Sequence, residues 1–135
     1  MFDVRMAGLE DGPLWSALLS NGLGADILWS LCLAAMAALS LRAWRRMHPT
    51  AWAPLQWDRH GQPVMRAQRD LAVAFTPLAA AVGGLLLAAA ERLSGQVEPG
   101  WLAVRLLAPL LLLAAHRSHL RHAMKTLKVE GGLKA

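Results

Sequence analysis

The residues of this chain whose types and spacing are suited to chemistry are few: His116, His119 and His122, the pair Asp58 and His60, and Arg105. On a helix the three histidines spread over about a third of the circumference, a spacing open to metal ligation. Arg117, Arg121 and Lys125 are interleaved with them, however, and no carboxylate stands nearby to orient an imidazole. The favoured reading is a solvated, lipid-facing basic helix with no metal. Asp58 and His60 form an acid and imidazole pair in a polar segment rich in Pro and Gly, where turn chemistry outweighs general-base work. Arg105 lies inside an apolar run, and an ionisable residue there marks a site by default. One turn past Trp101, it can snorkel outward or pair with Glu91 or Glu98. The alternative is an intramembrane polar site for an anionic lipid, a quinone headgroup or a partner's carboxylate. No paired carboxylates within an apolar run, no serine with a base and no glycine-rich phosphate loop accompany these residues. The expectation is therefore a protein that is not an enzyme and needs no cofactor.

Three apolar stretches carry these groups. Of 135 residues 56% are apolar, and a mean hydropathy of +0.35 is high for a soluble chain of this size. The reading is an all-α membrane protein in one domain, residues 1–135, with spans at about 23–44, 71–90 and 99–116. The first run has Trp29 and Trp44 near its ends as interfacial anchors and a small, buried-type residue at Cys32. The second contains Pro77, which frees a backbone carbonyl one turn earlier for Thr76 or a neighbouring helix to satisfy, so a kink is expected. Ala80, Gly83, Gly84 and Ala88 supply small residues for helix packing or partner contact. The third is prolonged by a basic stretch to Lys128 and stops at Gly131-Gly132. Ahead of the first run, Pro13 to Ser20 reads as a short N-terminal helix on the interface. The leader lacks the cationic head of a secretory signal and any lipidation motif.

The charge map sets orientation. Arg42, Arg45, Arg46, Arg59, Arg66 and Arg69 lie between the first two runs, and Arg117, Arg121, Lys125, Lys128 and Lys134 follow the third, most of the 14 cations. Only Arg5, Arg92 and Arg105 fall on the other side. The bias for short loops predicts a bacterial inner-membrane protein with its N-terminus outside and a basic cytoplasmic C-terminal extension. The net charge of +5 belongs to the ends of apolar runs rather than to a polar face, which points to anionic lipids and away from nucleic acid.

The connector from Met47 to Asp70 contains Pro49, Pro54, Pro63 and Gly61, so it reads as an ordered loop or re-entrant elbow. Trp52 and Trp57 would hold it to the interface or the bundle, with Gly61 and Pro63 forming its turn. The run from Pro54 to Pro63, followed by Arg66, Arg69 and Phe75-Thr76-Pro77, resembles the small bacterial membrane domain of unknown function found in the immunity protein against the sporulation-delaying toxin. The resemblance covers roughly residues 50–80. Gln56 stands where many relatives carry His, and the family places this loop outside, whereas the cation count places it inside. The resemblance implies an immunity or signalling role of the toxin-protection type. The residues themselves favour an accessory or assembly subunit of a membrane complex, acting by helix contacts with other membrane proteins or with copies of itself.

Overall fold

A computed structural model describes residues 22–95 and 99–134. Three long helices, α1 (Leu23–Arg46), α2 (Arg69–Ser94) and α3 (Pro99–Glu130), are joined by a hairpin of β1 (Trp52–Trp57) and β2 (Pro63–Gln68) between α1 and α2. Each helix is long and apolar enough to cross a membrane. The short helix expected ahead of α1 and the Glu98 partner of Arg105 lie outside the described residues.

The chain is not wholly helical, which corrects the expected loop or elbow. β1 and β2 pair antiparallel, with Trp52 opposite Gln68 and Trp57 opposite Pro63, and the register slips between Pro54 and Gln56 and again before Trp57. Prolines argue against a central strand but are tolerated in a two-stranded ribbon, where every strand is an edge. Asp58 closes the turn by accepting from the backbone N–H of His60 and of Gln62, each at 2.8 Å. Gly61, with φ of 77°, occupies the left-handed position that the turn needs, and its N–H reaches the Asp58 carbonyl at 3.1 Å.

α1 packs against both other helices. Its buried positions, Ala25, Trp29, Cys32, Met36, Ser40 and Ala43, recur every three or four residues and face α2 and α3. Large apolar side chains point outward all round, among them Leu31, Phe75, Leu78, Leu85 and Leu111. That surface would be a costly patch in water and is the ordinary exterior of a helix in lipid.

At the hairpin end the packing resembles a small soluble core. Ala43, Met47, Ala53, Ala67, Val73, Leu120 and Leu127 form one cluster joining all three helices and both strands. The basic end of α3 packs beside the end of α1 and the hairpin, and it stops where Gly131, with φ of 74°, lets the Gly132 N–H reach the Leu127 carbonyl at 2.8 Å, a Schellman cap. The chain then returns to α1: the His48 N–H donates to the Gly132 carbonyl and the Lys134 N–H to the Arg46 carbonyl, both at 2.9 Å.

Candidate functional site

Polar side chains meet at three levels of the bundle. Furthest from the hairpin, the Arg105 guanidinium, 3% exposed, pairs with Glu91 and with Asp26, so the starts of α1 and α3 and the end of α2 are joined by charge. Arg92 adds a bond of 2.8 Å to the other Asp26 oxygen. Gly22 sits against this cluster, and a Cβ there would lie 2.7 Å from both Arg105 and Glu91. Desolvating these charges is expensive, and the cost is offset because each carboxylate is met by a guanidinium. Arg105 thus does not snorkel outward, and Asp26 is partly buried in the same network.

Nearer the hairpin, in the early turns of α2, Pro77 lies inside the helix, which runs unbroken through it. Lacking an N–H, Pro77 leaves the Val73 carbonyl without an intrahelical donor. Ser40 of α1 supplies one, its hydroxyl donating to the Val73 oxygen at 2.7 Å. The hydroxyl has one proton, so its contact with His116 Nε2 at 2.9 Å is a bond in which the imidazole donates. A neighbouring helix, rather than Thr76, satisfies the freed carbonyl. His116 is 1% exposed, which corrects the picture of a histidine on a solvated, lipid-facing helix.

The other two histidines turn elsewhere. Trp57 presents its ring edge-on to His119 at 5.3 Å and to His122 at 6.0 Å between centroids, so the hairpin tip rests on α3. An open cavity of about 660 Å³ lies here, lined by Trp57, Asp58, Arg59, His119, His122 and Lys125. The two Asp58–backbone bonds that close the turn engage one of its carboxylate oxygens, so the pairing with His60 is turn chemistry rather than a charge relay. Trp52 is exposed, whereas Gly61 and Pro63 shape the tip and the start of β2.

Beside the cavity the hairpin is fixed to α3, and the helices on either side of it are fixed to each other. Arg66 grips Glu130 with two bonds, at 2.6 and 2.9 Å, while also reaching the Trp52 carbonyl. The hydrogen bond and charge of each partner raise the Arg66 pKa and lower that of Glu130. Trp44, half-buried, donates to Asp70 at 2.5 Å and lies under the Arg69 guanidinium at 4.3 Å. The indole bond, with lesser help from Arg69, holds the Asp70 carboxyl below its ordinary range.

The small residues of α2 divide between two faces. Ala80, Gly84 and Ala88 face α1, where the Trp29 indole donates to the Ala80 carbonyl at 3.1 Å. A Cβ on Gly84 would fall 2.2 Å from the Trp29 ring. Trp29 is therefore a buried packing residue rather than an interfacial anchor. Gly83 faces away, with nothing within 4 Å of an added Cβ. The residues that sequence reasoning undervalued are Ser40, Glu91 and His116. Their signal was the presence of lone polar residues at the depth of Pro77 and Arg105. Set against family models, curated proteins and solved structures, the chain matches none.

Proposed function

We propose that this chain is a non-enzymatic accessory or assembly protein of a bacterial inner membrane that works by helix contact with another membrane protein. The observation carrying this reading is how the polar groups inside the bundle are used. Asp26, Glu91, Arg105, Ser40 and His116 are all engaged in joining the protein's own helices. Along the apolar part of the helices the outward surface is largely apolar, and on α2 it includes Ala79 and Gly83, a small pair at four-residue spacing that leaves room for a second helix backbone. The cation bias puts the hairpin and the C-terminus in the cytoplasm and the Arg105 network near the outer surface.

Gly83→Leu fills the outward face without touching Trp29, so it should abolish co-purification of the partner from mild detergent while the bundle stays folded. Gly84→Leu should instead unfold the protein. A folded wild type that remains a solitary monomer in every mild detergent would overturn the reading, and recovery of a self-pair alone would replace the partner with a second copy. Reporter fusions at each terminus test the orientation. A second reading, protection against a membrane toxin, is favoured by the ordered Asp58–Gln62 turn that carries the resemblance. It requires that Trp57 and Gly61 substitutions abolish protection of cells exposed to such a toxin.

A further inference from the structure

The sides of α1 and α3 that face each other at the hairpin end form a cleft of about 570 Å³. Arg42 and Arg46 stand one turn apart on one wall, and Arg117, Arg121, Lys125 and Lys128 climb the other. None of the six lies within ion-pair distance of a carboxylate among the described residues. The carboxylates at this end are engaged elsewhere: Glu130 holds Arg66, Asp70 holds Arg69 and Trp44, and Asp58 holds the backbone of its own turn. Arginine and lysine stems carry the charge outward while the floor stays apolar, built from Leu39, Ala43, Leu120 and Met124. A second open cavity of about 550 Å³ shares Arg117, Arg121 and Lys125 and continues along α3 to Leu110 and Leu113, within the apolar span.

We infer that this cleft binds one anionic phospholipid, with its phosphate between the arginines of α1 and α3 and an acyl chain along Leu113 and Leu110. Six like charges around one cavity repel one another and are relieved by an anion. A freely diffusing anion would satisfy the charges and leave the apolar floor and the Leu110 extension without a role. A phospholipid uses both, and the arginine-lined mouth lies where the apolar part of α3 gives way to its basic extension, the depth of lipid phosphates. Arginine suits the phosphate because its planar fork donates two parallel bonds. The inference needs the chain to span a bilayer and does not depend on the accessory role, so the two can fail separately.

The test is native mass spectrometry of the full chain in detergent, titrated separately with phosphatidylglycerol, cardiolipin, phosphatidylcholine and inorganic phosphate. An anionic phospholipid should bind at one site at least about tenfold more tightly than phosphatidylcholine. Replacing two cleft cations, R117Q/R121Q, should weaken it by roughly thirtyfold, at about fivefold for each cation near an anionic headgroup. R117K/R121K should recover most of the binding, and R59Q, a cation outside the cleft, should leave it unchanged. Equal binding of phosphatidylcholine, an R117Q/R121Q variant indistinguishable from R59Q, or inorganic phosphate displacing the lipid at millimolar concentration would each overturn the inference. Circular dichroism of R117Q/R121Q ensures that the loss is read on a folded protein, and these exposed side chains form no ion pair or hydrogen bond with the bundle among the described residues.

Discussion

Replacing Ser40 with alanine removes one hydroxyl and strands two groups on two other helices. The Val73 carbonyl loses its donor because Pro77 has none to give, and the His116 Nε2–H loses its acceptor. Inside a water-soluble protein each stranded group would cost about 1–3 kcal/mol. Hydrogen bonds between helices in a bilayer are worth less, about 0.6 kcal/mol on average and about 1.7 at most, because the separated helices also find partners. For two bonds the expected loss is therefore about 1–3 kcal/mol, read by SDS titration or steric trapping in bicelles. The decisive measurement is the same substitution in a Pro77→Ala background. Alanine restores the N–H that reaches the Val73 carbonyl, so only the His116 bond remains to be lost, and the cost of Ser40→Ala should fall to roughly half. An equal cost in both backgrounds, or a cost below about 0.3 kcal/mol in the wild type, would refute the argument that the serine serves the proline.

Gly84→Leu should destabilise the bundle by about 3 kcal/mol or more through the clash with Trp29, while Gly83→Leu should fall within about 0.5 kcal/mol of wild type in the same unfolding assay. Arg105→Met leaves Glu91 and Asp26 without their shared cation and should cost about 3–5 kcal/mol. The double variant with Glu91→Leu should regain part of this, since Asp26 keeps Arg92, and a double variant worse than the single would contradict the network. The Arg66 and Glu130 clamp should depend on pH in one direction. Because the folded Glu130 carboxyl titrates below its ordinary value of 4.5, its contribution is complete above that pH and disappears as the pH falls below it. Both side chains are about a third exposed, so the effect is a few tenths of a kcal/mol, visible as acid-dependent hydrogen exchange at β2 that Glu130→Gln abolishes.

Three long helices were legible because twenty or so apolar residues have few other fates, and the stop at Gly131 was legible because glycine there has one common use. The hairpin was not. Pro54 and Pro63 weigh against strands in any local reading, and the pairing depends on tertiary anchors: Trp57 on α3 and Arg66 on Glu130, which lies 64 residues further along the chain. The turn itself did carry a local signal, with Asp58 three residues before Gly61, the preferred first and fourth residues of a type I turn. The turn was therefore legible, and what hid the strands on either side of it was the strength of the proline rule when applied to a ribbon with no central strand.

The candidate site divides in the same way. Arg105 announced itself by charge alone, and its pairing with Glu91 could be anticipated because both sit next to the turn between α2 and α3. Asp26 could not be anticipated as a partner, since nothing local brings the start of α1 to that point. His116 illustrates the harder limit. Arg117, Arg121 and Lys125 follow it in sequence, which argues for a solvated helix, but those cations belong to other faces. At its own angle it meets Ser40, which is committed to a carbonyl that Pro77 releases. A buried serine on α1, a proline in α2 and a histidine on α3 are individually unremarkable in membrane helices. They become informative only when their depths are compared, because a proline inside a span creates a demand for a donor that some other helix must meet. Depth-matching lone polar residues to intramembrane prolines would have identified both Ser40 and His116 from the sequence.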